Sequence, residues 1–186
     1  MGRIENLVRN YERDVSLPWQ QNLAGPQKVW FAVYDKADER RLRARIGEFE
    51  VATKRAGHRW AACDITDAFA EWMGKEPYAE AYFEDPDSLD TNLNDFLAHV
   101  AGRVTDALEA DGVDEQTVVA VYGVASLYGF MRVSQLVAAV ERSIRGRLLV
   151  FFPGVHEGNT YRFLDARDGW NYLAVPITSD EGVRER

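Results

Sequence analysis

Four short apolar runs, separated by segments with helical apolar spacing, constrain this 186-residue chain more than any other feature. They are KVWFAVYD (Lys28 to Asp35), HRWAACDI (His58 to Ile65), TVVAVYG (Thr117 to Gly123) and RLLVFFP (Arg147 to Pro153). KVWFAVYD is apolar on both sides of an extended chain, as a strand covered on both faces requires. Between the runs, Leu42, Ile46, Phe49 and Thr53 recur at helical spacing, as do Leu89, Leu93, Phe96, Leu97, Val100, Val104 and Leu108. Val133, Leu136, Val137, Val140 and Ile144 mark another helix, and NYLAVPI (Asn171 to Ile177) reads as a fifth strand. Strands alternating with helices predict an α/β fold: a single domain with a mostly parallel open sheet of about five strands and helices on both faces.

Punctuation refines this reading. Ile4, Leu7, Val8 and Tyr11 form one stripe from Arg3 to Ser16, stopped at Pro18 and followed by a Gly25-Pro26 turn, so residues 1–27 read as a helical extension. Asp38 is the expected N-cap of the helix that Gly57 closes. Thr66 is expected to cap a short helix containing Phe69 and Trp72, with a second helical piece over Tyr78 to Phe83. The stretch from Gly154 to Gly169 is long for a connection in such a fold, and Tyr161-Arg162-Phe163-Leu164 reads as a short edge strand within it. Residues 1–186 are expected to form one domain, with 179–186 as a flexible tail.

Composition narrows the function classes. One cysteine excludes a disulfide framework and an all-cysteine zinc site and fits a reducing compartment. No apolar run approaches the length of a membrane helix, and MGRIENLVRNYERD mixes both charge signs, unlike a signal peptide. A cytoplasmic protein without membrane contact is the expectation. The formal net charge of −8 argues against broad nucleic-acid affinity. That charge is unevenly placed. Residues 36–63 hold 8 basic and 4 acidic groups, net +4, whereas residues 64–115 hold 2 and 15, net −13.

No catalytic constellation emerges. Gly123 and Gly129 in GVASLYGFMRVS would permit tight turns at a strand's carboxyl end, but no Lys-Ser or Lys-Thr pair follows them and no GxGxxG occurs. Asp35 and Asp64 sit at strand ends without a metal motif around them. Cys63 reads as a buried small hydrophobe, and His58, His99 and His156 pair with no nucleophile by spacing. No catalytic residue, cofactor or metal site is expected. Two partner-binding candidates remain. The first is the arginine group of one helix, where Arg41 and Arg45 share one face and Arg40 and Arg43 another. The second is the polar segment Phe151 to Ile177, whose Tyr161, Arg162, Arg167, Trp170 and Tyr172 are of the types that anchor interfaces or order loops.

The segments KVWFAVYDKADERRLRARIGEFEVATKRAGHRW, VYGVASLYGFMRVSQLV, GRLLVFFPG and YRFLDARDGWNYLAVPIT resemble the BrxB family of bacterial BREX phage-defence systems. The resemblance runs from Lys28 to Thr178, and DERRLR, GVASLYGF and LDARDGWNYLAVPI are its most specific strings; the acidic middle carries little of it. It implies a non-catalytic adaptor that docks onto a PglZ-like partner and helps connect it to a BrxC-like ATPase and a PglX-like methyltransferase, with DNA engaged only indirectly. The alternative is a nucleotide- or nucleic-acid-binding α/β domain, resting on the Gly123–Gly129 turn and the Arg40–Arg45 group. Self-association is not legible in the sequence.

Overall fold

A computed structural model describes residues 2–166 and 169–180. The five parallel strands come from the runs identified above: β1 (Val29–Tyr34), β2 (Arg59–Asp64), β3 (Thr117–Tyr122), β4 (Arg147–Glu157) and, at the C-terminal end, β7 (Val175–Ile177). Their spatial order is β2-β3-β4-β1-β7, with Val29 opposite Leu148 and Arg59 opposite Thr117. The helices are α1 (Arg3–Val15), α2 (Glu39–Arg55), α3 (Ala68–Met73), α4 (Ala79–Glu84), α5 (Leu93–Glu109) and α6 (Val133–Val140).

Strand alternation divides the core in two. Val29, Phe31 and Val33 of β1 join one buried cluster with α3 to α6, whereas Trp30, Ala32 and Tyr34 join another with α1 and α2. Helices therefore cover both faces of a mostly parallel open sheet, as the pattern predicts. On the α1/α2 face, Tyr11 packs edge-on to Trp30 and shares a 2.5 Å hydrogen bond with Thr53.

Several local expectations need correction. The fifth strand is not continuous over Asn171 to Ile177. β6 (Trp170–Asn171) pairs antiparallel with β5 (Thr160–Phe163), and only Val175–Ile177 joins the parallel sheet beside β1. β4 does not stop at Pro153 but continues to Glu157, where it pairs antiparallel with β5. The long polar stretch is thus a small antiparallel layer grown from the central strand; the strand expected over Tyr161 to Leu164 forms as Thr160–Phe163, but it lies between β4 and β6 rather than at an edge. Asp38 occupies the N-cap position of α2, yet its side chain caps nothing; it is buried and ion-paired to Arg3 at 2.9 Å and Arg41 at 3.3 Å. Asp67, not Thr66, precedes α3, and the Thr66 hydroxyl instead donates to Asp64. Of the expected tail, residues 181–186 lie outside the described residues, while the Asn10 amide donates to the carbonyls of Thr178 at 2.7 Å and Asp180 at 3.3 Å.

Candidate partner-binding surfaces

Among the described residues, the arginines of α2 divide into those with and those without an ion pair. Arg40 is exposed. Arg41 is also exposed and reaches Asp38 from its own helix end. Arg45 is only one-third exposed (34%) and joins α2 to α1 through Glu5 at 2.8 Å, with Glu48 at 3.5 Å. Glu5 is held below the ordinary carboxylate range by the Gly2 backbone N–H and then by Arg45. Arg45 is therefore part of the α1–α2 contact, and reversing its charge would disturb folding before it tested a partner.

The second group surrounds the antiparallel layer. Tyr161 is fully buried, stacks against Trp170 at 5.4 Å, meets Phe31 edge-on at 4.8 Å, and donates its hydroxyl to the Ala174 carbonyl at 2.9 Å. Its side chain is thus part of the core under the antiparallel layer rather than of the surface. Trp170 and Tyr172 are half-buried, with Tyr172 stacked over Phe31 at 6.0 Å. Burial, followed by the nearby Glu141 carboxylate, raises the Tyr172 phenol far above its ordinary value, so it stays protonated. Arg162 is outward and paired with Glu157 at 3.2 Å. Arg167 lies outside the described residues. The structure thus places Trp170 and Tyr172 on the side of the sheet that carries α3 to α6, and Arg40 and Arg41 on α2, on the other; Arg162, opposite Val155, alternates away from Tyr161 and Phe163, so the candidates do not form one patch.

Sequence spacing missed a crevice at the carboxyl end of the sheet. β1 continues into α2 on one face, whereas its neighbour β4 continues into β5 on the opposite face. Adjacent strands that diverge in this way open a gap, the usual ligand position in open α/β sheets. A cleft of about 380 Å³ lies there, lined in part by Arg3, Asp35, Lys36, Asp38, His156 and Asp165. Lys36 and Asp165 form an ion pair between its two walls. Asp35 pairs with Arg3 at 3.2 Å and accepts the Ala37 N–H at 2.9 Å. Burial lowers the His156 pKa. The signal available in sequence was Asp35 at a strand end, which points to this edge but not to its partners.

A polar chain also links the ends of the first three strands. The Tyr34 hydroxyl donates to Glu39, Arg43 Nε donates to Glu39 at 2.7 Å, and Arg43 Nη2 donates to Thr66 at 2.9 Å. Gly123 backs this chain. With φ at +86°, a Cβ there would stand 2.4 Å from Thr66 Oγ1 and 2.7 Å from its backbone nitrogen. The glycine thus permits close packing of the β3 exit on the β2 exit. Gly123 leads into a single 3-10 turn, Val124–Leu127, and the next α-helix, α6, begins only at Val133, so no long helix N-terminus follows this glycine. Cys63 is buried and its thiol pKa is raised by that burial. Among the described residues no three His, Cys, Asp or Glu side chains gather where they could hold a metal, and no helix is long and apolar enough to cross a membrane.

These features define an α/β protein with a parallel sheet, a charge-segregated surface and an antiparallel layer grown from its central strand. A family model described as BREX protein BrxB matches residues 70–177, more than half of the chain, and the chain belongs to the BrxB family. The match runs from α3 to β7. It includes GVASLYGF, LDARDGWNYLAVPI and the acidic middle, and leaves out the DERRLR helix. No curated protein and no solved structure matches the chain.

Proposed function

We propose that the chain is a non-catalytic assembly component of a BREX anti-phage defence complex, acting in the cytoplasm as one domain. It docks onto a PglZ-like protein and helps connect it to a BrxC-like ATPase and a PglX-like methyltransferase, with DNA engaged only through them. Family membership over residues 70–177 carries this reading. The outward Arg40 and Arg41 on α2, and the outward Arg162 with the half-buried Trp170 and Tyr172 around the antiparallel layer, support it as contact residues, with Tyr161 ordering that layer. Co-purification of tagged protein with the PglZ-like and BrxC-like proteins of the same system tests it. Recovery of at least one of them at physiological salt is expected; recovery of the chain alone, with both expressed, sinks it.

The β1/β4 crevice favours one second reading, the binding of a nucleotide or nucleic acid. Calorimetry with ATP, GTP and short duplex DNA at low salt decides it, and a flat response removes it.

A further inference from the structure

The two ends of the parallel sheet are built differently. β7, at one end, is three residues long and contains Pro176. Shortness and proline both make an edge unreceptive to another strand. β2, at the other end, is six residues long, without proline, and pairs with β3 without a bulge from Arg59 opposite Thr117 to Asp64 opposite Tyr122. Its charged residues are only the first and the last, Arg59 and Asp64. Among the described residues no strand lies beyond it.

The direction of its free backbone groups follows from the ladder. In a parallel strand the N–H and C=O of one residue point to the same side, and successive residues alternate. Arg59 N–H donates inward to Gln116 at 2.9 Å and Ile65 N–H donates inward to Tyr122 at 3.0 Å. Trp60, Ala62 and Asp64 therefore turn their backbone groups outward. Ala62 is exposed and Trp60 is half-buried, and both side chains lie on the α2 face as a small apolar shelf.

We propose that the outer edge of β2 is a docking site for an extended segment of another protein, which adds a sixth strand to the parallel sheet. A second copy of this chain is the wrong occupant on electrostatic grounds. Pairing β2 with itself requires a two-fold axis normal to the sheet, which keeps each face on its own side. The α3–α5 layers, built from the segment with net −13, would then lie side by side. The fitting partner offers a proline-free extended segment with an apolar side chain over Trp60 and Ala62. It carries basic groups toward the α5 side.

This inference rests on the adaptor reading, and its test separates the two. The chain is co-purified with the PglZ-like and BrxC-like proteins, and amide hydrogen exchange is read with and without the captured component. Ala62→Pro removes an outward N–H and no ladder bond, and Ala62→Lys blunts the edge by charge if proline disturbs folding. Expected are at least about tenfold less captured partner for either variant, unchanged circular dichroism, and about tenfold slower exchange at Trp60, Ala62 and Asp64 in the wild-type complex. A complex that forms with β2 exchange unchanged, or equally well with both variants, overturns the edge site and leaves the adaptor reading standing. A wild-type dimer that Ala62→Pro converts to monomer overturns the choice of partner. Failure to capture any component overturns the adaptor reading and the edge site with it.

Discussion

The two faces of the sheet use charge in opposite ways. In segment 36–63, which supplies α2, seven of the eight basic residues have a carboxylate within 4.0 Å among the described residues, Arg40 being the exception. Of the fifteen acidic residues in segment 64–115, by contrast, only Glu71 and Asp114 have a cation within that distance among the described residues. The basic excess is neutralised inside the molecule, much of it by the contact of α2 with α1. The acidic excess faces outward, beside exposed Tyr78 and Phe83. A segment's net charge therefore does not reveal whether its charge is free to meet a partner; pairing partners from other elements decide that.

The faces also differ in how their cores cohere, and the largest expected effect lies there. Phe31 is fully buried and touches the rings of Phe152, Tyr161, Trp170 and Tyr172. Phe31→Ala should cost about 3–5 kcal/mol and loosen the antiparallel layer with it. Urea unfolding followed by tryptophan fluorescence reads this; a loss below about 1 kcal/mol would mean the aromatic group does not cohere as described.

A smaller, more diagnostic contrast tests the charge asymmetry. Arg45→Glu places a third carboxylate beside Glu5 and Glu48 and should lower the melting temperature by a few degrees. Glu84→Lys, on the unpaired acidic side, should leave it unchanged or raise it slightly. Equal effects would erase the distinction between paired and unpaired faces.

The smallest expected effect is a pH dependence. His58 stacks on Trp19 at 3.7 Å beside Arg147, and burial lowers its pKa from 6.5, with Arg147 adding to the shift. The folded state thus prefers neutral imidazole, and the unfolded state takes up the proton first. The resulting stability is complete above about pH 6.5 and declines as pH falls toward the lower folded value. His58→Gln should flatten that part of the acid limb of denaturant midpoints; an unaltered limb would remove His58 as its source.

Strand-forming runs and helix stripes were legible because apolar periodicity is local, and β1 to β4 begin within a residue of where the pattern places them. The failures occur where tertiary partners override local rules. Asp38 has the position and chemistry of an N-cap, but Arg3 and Arg41 provide a stronger partnership. NYLAVPI has a strand's composition, yet its two ends join different strands because Tyr161 ties its hydroxyl to Ala174 between them. In sequence, Arg147 is legible only as the start of a strand. It lies buried over Trp19 at 4.6 Å and Trp30 at 5.8 Å, a stack that brings together residues far apart in sequence. The β1/β4 crevice was hidden for the same reason, since strand order is not written in any one segment.

The length of β4 has a mechanical consequence. One unbroken strand, Arg147–Glu157, belongs first to the parallel sheet and then to the antiparallel layer, with Gly154 at the transition, where a Cβ would stand 2.1 Å from the Arg162 carbonyl oxygen. A pull on the antiparallel layer enters the sheet at its central strand, along the strand axis, and loads the ladders to β1 and β3 together in shear. Their hydrogen bonds must then fail as a group, whereas force applied across an edge strand would unzip them one at a time. The layer can therefore carry tension from a bound partner into the middle of the molecule without peeling the sheet apart.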